Sequence, residues 1–183
     1  MVRRLLLLVV VLALSPWGTA TTVANAGDRV RPVTARAQVS APADSRVAQV
    51  VNRVRQRHGL RPLTVSRRMS ATARPWAKHL ARTTQTLAHD AGYWGDITRS
   101  CRGPRAGAEN VAYRYDTPTA RPVVMHRRSA VALVRMYLGS PPHRANILNP
   151  DATHLGTATA MRRSGPHQVY TANVMRFARA KSC

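Results

Sequence analysis

The sequence predicts an α+β layer fold on three observations. Two helical stretches with apolar stripes open the folded part, a third follows a strand, and a pair of Thr-, Val- and Ala-rich segments closes the chain. In the first helix Val47, Val50, Val51 and Val54 keep helical spacing, Asp44 or Ser45 caps the start and Gly59 ends it. The second starts at Ser66 and carries Met69, Ala73, Trp76, Ala77 and Leu80 on one stripe, which reads as core and not as a cofactor box. Pro75 either kinks this helix or marks a late first turn. After a Gly- and Arg-rich stretch, Val111, Tyr113 and Tyr115 alternate with Ala112 and Arg114 as in a half-buried strand. Pro118 and Pro122 mark a loop. Val131, Val134, Tyr137 and Leu138 then give a third helix, stopped by Gly139 and Pro141. Leu155 to Arg162 and Gln168 to Phe177, parted by Ser164-Gly165-Pro166, read as a hairpin, and no internal repeat is present.

The first residues set the compartment. Arg3 and Arg4 precede an apolar run from Leu5 to Leu14, followed by Ser15, Pro16 and Gly18, the pattern of a secretory signal peptide. The run is half of the roughly 20 residues a membrane span needs. Ala24-Asn25-Ala26 offers a cleavage site, which makes residues 1–26 the signal peptide; Gly18-Thr19-Ala20 is an alternative site, and an uncleaved anchor is the competing reading. No other stretch approaches a membrane span, so the mature chain is expected to be secreted. Residues 27–43 mix Arg, Pro, Ala, Ser and Thr without an apolar period and are expected to form a disordered spacer, leaving residues 44–183 as one domain.

The chain has 29 basic and 7 acidic side chains and a formal net charge of +22. Only Lys78 and Lys181 are lysines, so the charge is almost all guanidinium, the group suited to forked contacts with phosphate and carboxylate. For an exported chain this favours an anionic envelope component or lipid as partner and disfavours nucleic acid; a merely solvated basic face is the alternative. The two cysteines, Cys101 and Cys183, are expected to form a disulfide in an oxidising compartment, against the alternative of two free thiols. Oligomeric state does not follow from the sequence.

With so few acids, chemistry must come from a few polar positions among apolar segments. Four stretches qualify: Leu87-Ala88-His89-Asp90, Gly107-Ala108-Glu109-Asn110, Ser140-Pro141-Pro142-His143-Arg144-Ala145-Asn146-Ile147-Leu148-Asn149-Pro150, and Thr153-His154-Leu155-Gly156. In this order they resemble the bacterial branch of the CAP superfamily of cysteine-rich secretory, antigen 5 and pathogenesis-related proteins. That branch has a histidine after its second helix, a G-E-N-type motif, an S-P-G-H-R-x-N-I-L segment and a following hairpin. Val51-Asn52-Arg53-Val54-Arg55 and Gly59-Leu60-Arg61-Pro62-Leu63 are similar to its opening N-x-x-R and G-L-x-x-L, so the resemblance runs from about Asp44 to Phe177.

The resemblance implies an α-β-α sandwich and a cleft lined by His89, Glu109 and His143. The family's second acid has no match: Ser140 stands three after Tyr137, where the eukaryotic branch has a glutamate after a tryptophan. Ala108 and Pro142 also replace glycines. These departures count more against catalysis than against the fold. Two imidazoles and a carboxylate suit a divalent metal such as Zn²⁺, weakly bound through His89 and His143, or a base with an orienting partner. Asn110 and Asn146 read as turn-satisfying amides. Arg144 reads as an anion contact or as a buttress to Glu109 or a helix C-terminus. His154 is expected near the cleft rim, and His58, His79, His126 and His167 on the surface. Three functions stay open: a non-catalytic extracytoplasmic binding module for a lipid, cell-envelope polymer or protein; a metal-assisted hydrolase with Glu109 as proton acceptor; and a cationic membrane- or nucleic-acid-binding protein. Of these the non-enzymatic module fits the incomplete acid pair best, and no serine or cysteine nucleophile motif supports covalent catalysis.

Overall fold

The computed structural model describes residues 38–83, 87–116, 127–163 and 168–183. The signal peptide, residues 27–37 of the expected spacer, Pro118, Pro122, the Ser164-Gly165-Pro166 turn, His126 and His167 lie outside the described residues. The elements run β1 (Gln38–Val39), α1 (Ala41–Arg57), β2 (Thr64–Val65), α2 (Arg67–Thr83), α3 (Tyr93–Ser100), β3 (Ala106–Asp116), α4 (Arg127–Leu138), α5 (Pro141–Leu148), β4 (His154–Arg163) and β5 (Val169–Arg179).

Order begins earlier than the composition of residues 27–43 suggests. Gln38 and Val39 pair with Met161 and Ala160, and α1 starts at Ala41 with Ser40, not Asp44 or Ser45, as its cap. The Ser40 Oγ accepts from the Ala43 N–H at 3.3 Å. A strand needs only a partner edge, which this sequence window does not contain.

The sheet order is β1-β4-β5-β3, with β2 added in parallel to β4. It is covered on both faces. Ala112, Leu155, Met175 and Phe177 pack on one side against α1, α4 and Ile147 of α5. Val111, Ala158, Ala172 and Val174 pack on the other against Ala73, Ala77 and Leu80 of α2. The result is the α-β-α sandwich that the resemblance implies. Cover on both faces explains why β4 and β5 read as near-continuous small and apolar runs. Tyr113 and Tyr115 stay exposed and contact Tyr170 through their rings, so β3 is half-buried only in part.

Two helices contradict the sequence reading. The Gly- and Arg-rich stretch carries no helical period, yet it contains α3, where only Ile97 and Ser100 are buried. α4 does end at Leu138, before Gly139 and Pro141, as expected; the helix the sequence reading lacks is α5, which Pro141 opens after the Ser140 cap, since proline at the first helical positions gives up only an orphan donor. Pro75 lies inside α2, with Arg67 to Arg74 before it, so it is not in a late first turn. Gly59 follows α1 at φ +69°, the left-handed conformation that ends helices. Gly156 serves a different need: a Cβ there would stand 2.3 Å from the Met69 Cβ, so glycine lets α2 lie directly on β4.

Between β1 and β2 the outer edge of β4 has no strand beside it among the described residues. Side chains take its N–H groups: Thr157 N–H donates to Ser70 Oγ at 3.1 Å and Thr159 N–H to Asp44 Oδ1 at 2.6 Å. Asp44 is 7% exposed, and among the described residues its Oδ2 has no hydrogen-bond partner. Burial pushes its carboxyl up to about 7, against the pull of the Thr159 contacts and the Arg74 charge. A raised folded-state pKa means that the native protein holds this proton where the unfolded chain has lost it. Stability contributed by Asp44 is therefore full below about pH 4 and falls as pH rises toward 7. A three-unit shift is worth about 4 kcal/mol, and relaxation around the charged form lowers that toward about 3. Asp44→Asn is expected to flatten this slope between pH 4 and 7, read by urea unfolding across the interval; an unchanged slope refutes the assignment.

Candidate functional site

The three residues singled out in the sequence come together at β3, the terminal strand of the sheet order. Glu109 lies opposite Arg176 in the β3–β5 register, and its side chain is fully buried. His89, in the segment after α2, brings its Nδ1 to 3.1 Å from Glu109 Oε1, while its side chain remains 55% exposed. His143 arrives on α5. The two imidazole centroids are 6.4 Å apart, and His143 also packs edge-on against Tyr137 at 5.4 Å.

Each is held from behind. The Asp90 N–H donates to Glu109 Oε1 at 2.9 Å and the Arg176 Nε to Oε2 at 3.2 Å. Asn146 Nδ2 donates to Asn110 Oδ1, and Asn110 Nδ2 to the His143 carbonyl at 3.0 Å, which ties α5 to β3. Both asparagines thus have the structural role expected of them. Tyr137 donates its hydroxyl to the Asn173 carbonyl at 3.0 Å. Burial, and then the Glu109 charge, push that phenol well above its ordinary pKa, so it stays a donor. Burial first and His89 second push the His143 imidazole below its ordinary value, so it is neutral at neutral pH.

Two buried arginines escape a reading of the sequence. Arg176 is 0% exposed and gathers Glu109, Asp90 and Asp96, with Nη2 and Nη1 each 2.5 Å from the two aspartates. Arg55, also 0% exposed, donates through Nη1 to the carbonyls of Ile147 at 2.7 Å and Asn149 at 2.9 Å, and through Nε to Arg61. These are the buttress to Glu109 and the contact to a helix C-terminus considered for Arg144, which is exposed. Arg55 ends the N-x-x-R motif, and the Asn52 side-chain amide donates to the Leu63 carbonyl and accepts from the Leu63 N–H, so that motif clamps the segment between α1 and β2. His154 is buried at the start of β4 with Thr153 Oγ1 at 2.8 Å. His58 and His79 are exposed.

The donor set decides what the cleft can do. The Glu109 side chain is 0% exposed, and its two oxygens are turned to His89, the Asp90 N–H and Arg176. Among the described residues no group of three or more His, Cys, Asp or Glu side chains is placed to hold a metal. Two imidazoles remain, fewer than the three protein ligands usual in catalytic zinc sites.

A second feature lies on the far side of α4. Between α1 and α4 runs a groove of about 260 Å³ with Val50, Val54, Val131, Val134 and Leu138 on its walls and Arg53, Arg57, Arg127 and Arg135 around it. Among the described residues no helix is long and apolar enough to cross a membrane. Cys101 and Cys183 form the expected disulfide.

Residues 48–174 match the model of the CAP family, described as the cysteine-rich secretory protein family. The uncharacterized protein YkwD of Bacillus subtilis is 27% identical over 117 residues, 62% of this chain and 40% of that protein, so the chain spans less than half of this curated relative. Among solved structures, an extracellular protein of Bacillus anthracis containing an SCP domain superposes with a TM-score of 0.51 at 21% identity, over 75% of this chain and 40% of that one. An outer surface protein of Borrelia burgdorferi gives 0.58 at 15%, over 80% and 99%. With the family's model matched over most of the folded part and its sandwich formed, the chain belongs to the cysteine-rich secretory protein family.

Proposed function

We propose that this protein is a secreted, non-catalytic binding module whose ligand is an anionic lipid of the cell envelope. The observation that carries the reading is the α1–α4 groove, an apolar trough ringed by four arginines. Such a surface matches an amphiphile with an acyl chain and an acidic headgroup: the partly exposed Val54, Val131 and Leu138 take the chain, at about 0.8 kcal/mol per buried methylene, and the guanidinium forks take the headgroup oxygens. Glu109, committed to Arg176 and His89, supports the absence of turnover. An exported setting agrees with the two structural neighbours, one an extracellular protein and the other an outer surface protein.

Vesicles of phosphatidylglycerol and phosphatidylcholine test this. Binding is expected to anionic vesicles, with an affinity that falls as salt rises. Arg53→Glu with Arg135→Glu is expected to remove most of it, and Val131→Trp to weaken it by filling the trough. Equal binding to neutral vesicles, or binding untouched by these substitutions, sinks the reading. The cleft adds a second, weaker property. His89 through Nε2 and His143 would hold a divalent ion such as Zn²⁺ and leave its remaining positions to water; affinity is expected to fade in acid, because protonated imidazole is no ligand. Calorimetry with Zn²⁺ on the wild type and His143→Ala checks it, equal heats ending that part.

A further inference from the structure

On the opposite layer, α2, α3 and Asp90 between them border an open groove of about 720 Å³, lined by Ala71, Thr72, Pro75, Trp76, His79, Asp90, Asp96 and Arg99. We infer that this groove is a glycan-binding site that takes a neutral pyranose unit, with the Trp76 and His79 rings as its stacking wall and Thr72, Asp90, Asp96 and Arg99 as its hydroxyl-reading wall.

The aromatic wall is built in advance. Trp76 Nε1 donates to the Ala88 carbonyl at 3.0 Å, which fixes the indole, and its ring stacks on His79 with centroids 4.6 Å apart and planes 17° apart. A pyranose has an apolar C–H face that gains by leaving water for such a surface, and a rim of hydroxyls that must each find a partner. The polar wall supplies both kinds. Carboxylate oxygens accept, the Arg99 guanidinium donates, and the Thr72 hydroxyl, which already donates to the Met69 carbonyl at 3.0 Å, accepts.

Asp90, Asp96 and Thr72 of that wall are held in place as well. Arg176, beneath it, donates to Asp90, Asp96 and Thr72 Oγ1, the last at 3.2 Å, and Arg99 pairs with Asp96. Side chains fixed before the ligand arrives lose little entropy on binding, and the remaining lone pairs of each carboxylate are still open to hydroxyl donors. Charge then selects the ligand class. Asp90, Asp96 and the buried Glu109 face the guanidiniums of Arg176 and Arg99, so the groove is within one charge of neutral on a protein of net charge +22. A polyanion is drawn to the arginine surfaces elsewhere, and a cation is repelled by the whole molecule. An uncharged sugar meets neither bias.

The site is independent of the lipid groove, so either reading can fail alone. Calorimetric titration of the folded protein with an N-acetylglucosamine tetramer and with cellotetraose tests it, at low and at high salt. Saturable binding of one or both is expected, with an affinity that salt hardly changes. Binding of the acetamido sugar only would show that its amide is read as well as the ring. Trp76→Ala is expected to weaken binding at least about tenfold, Thr72→Val to weaken it less, and Arg135→Glu to leave it alone. Trp76→Phe, which keeps an aromatic face in the packing of α2, guards against a folding defect and is expected to bind between the two. Saturation by neither sugar, or equal affinity in wild type and both Trp76 variants with melting curves unchanged, overturns the proposal.

Discussion

Replacing Arg176 by methionine is expected to cost about 3–5 kcal/mol of folding free energy, the range for breaking a buried ion pair by removing one partner. The side chain is fully buried and holds three of the chain's seven acids. Asp90 and Asp96 are partly exposed and can turn to water; Glu109 cannot, because its side chain is 0% exposed. Most of the cost therefore falls on Glu109, left as a buried carboxylate without its cation. Adding Glu109→Gln to the variant recovers part of the loss, because an amide needs no counter-charge. Urea unfolding of the single and the double variant at neutral pH measures both the loss and its recovery. A loss under about 1 kcal/mol at neutral pH would show that the cluster does not depend on its arginine.

Exchanging Cys101 and Cys183 for serine is expected to cost roughly 4 to 5 kcal/mol on the chain-entropy model, since the bridge closes a loop of 82 positions. Local contacts soften but do not replace it. Arg102 N–H donates to the Ser182 carbonyl at 2.8 Å and Lys181 N–H to the Arg102 carbonyl at 3.1 Å, two bonds that join the same segments. Both cysteines pack with Met69, Ile97 and Ala178 in a small cluster beneath α3. Loss of the bridge should therefore show first as faster amide exchange at the end of α3 and in residues 178–183, before global unfolding. Denaturant unfolding of the double-serine protein gives the magnitude, and exchange gives the place. Unfolding within about 1 kcal/mol of wild type would mean that these hydrogen bonds suffice.

The elements legible in the sequence are those whose burial leaves a period in one segment. Val47, Val50 and Val51 on α1, and Met69, Ala73, Ala77 and Leu80 on α2, all face a core and all repeat at helical spacing. α3 and α5 are eight residues each and bury one apolar side chain apiece, Ile97 and Ile147, so no stripe exists to be read. At α5 the local signal even misleads, because paired prolines stop a helix or start one according to where the cap lies. Arg55 and Arg176 are hidden for another reason. Among 29 basic residues nothing marks Arg176, and only its place in N-x-x-R marks Arg55, while their partners lie as far as 104 and 94 positions away in sequence.

By itself the sequence determined the two long helices, the closing β pair, the cysteine pairing and, through its motifs, the residues that meet at the cleft, because each leaves a mark in residue type and spacing. Only the tertiary structure decided that Glu109 is already committed to Arg176, that arginines ring an apolar trough, and that Trp76 faces a polar wall. Those properties belong to distances between segments, and burial, charge pairing and desolvation act through such distances and leave no period along the chain.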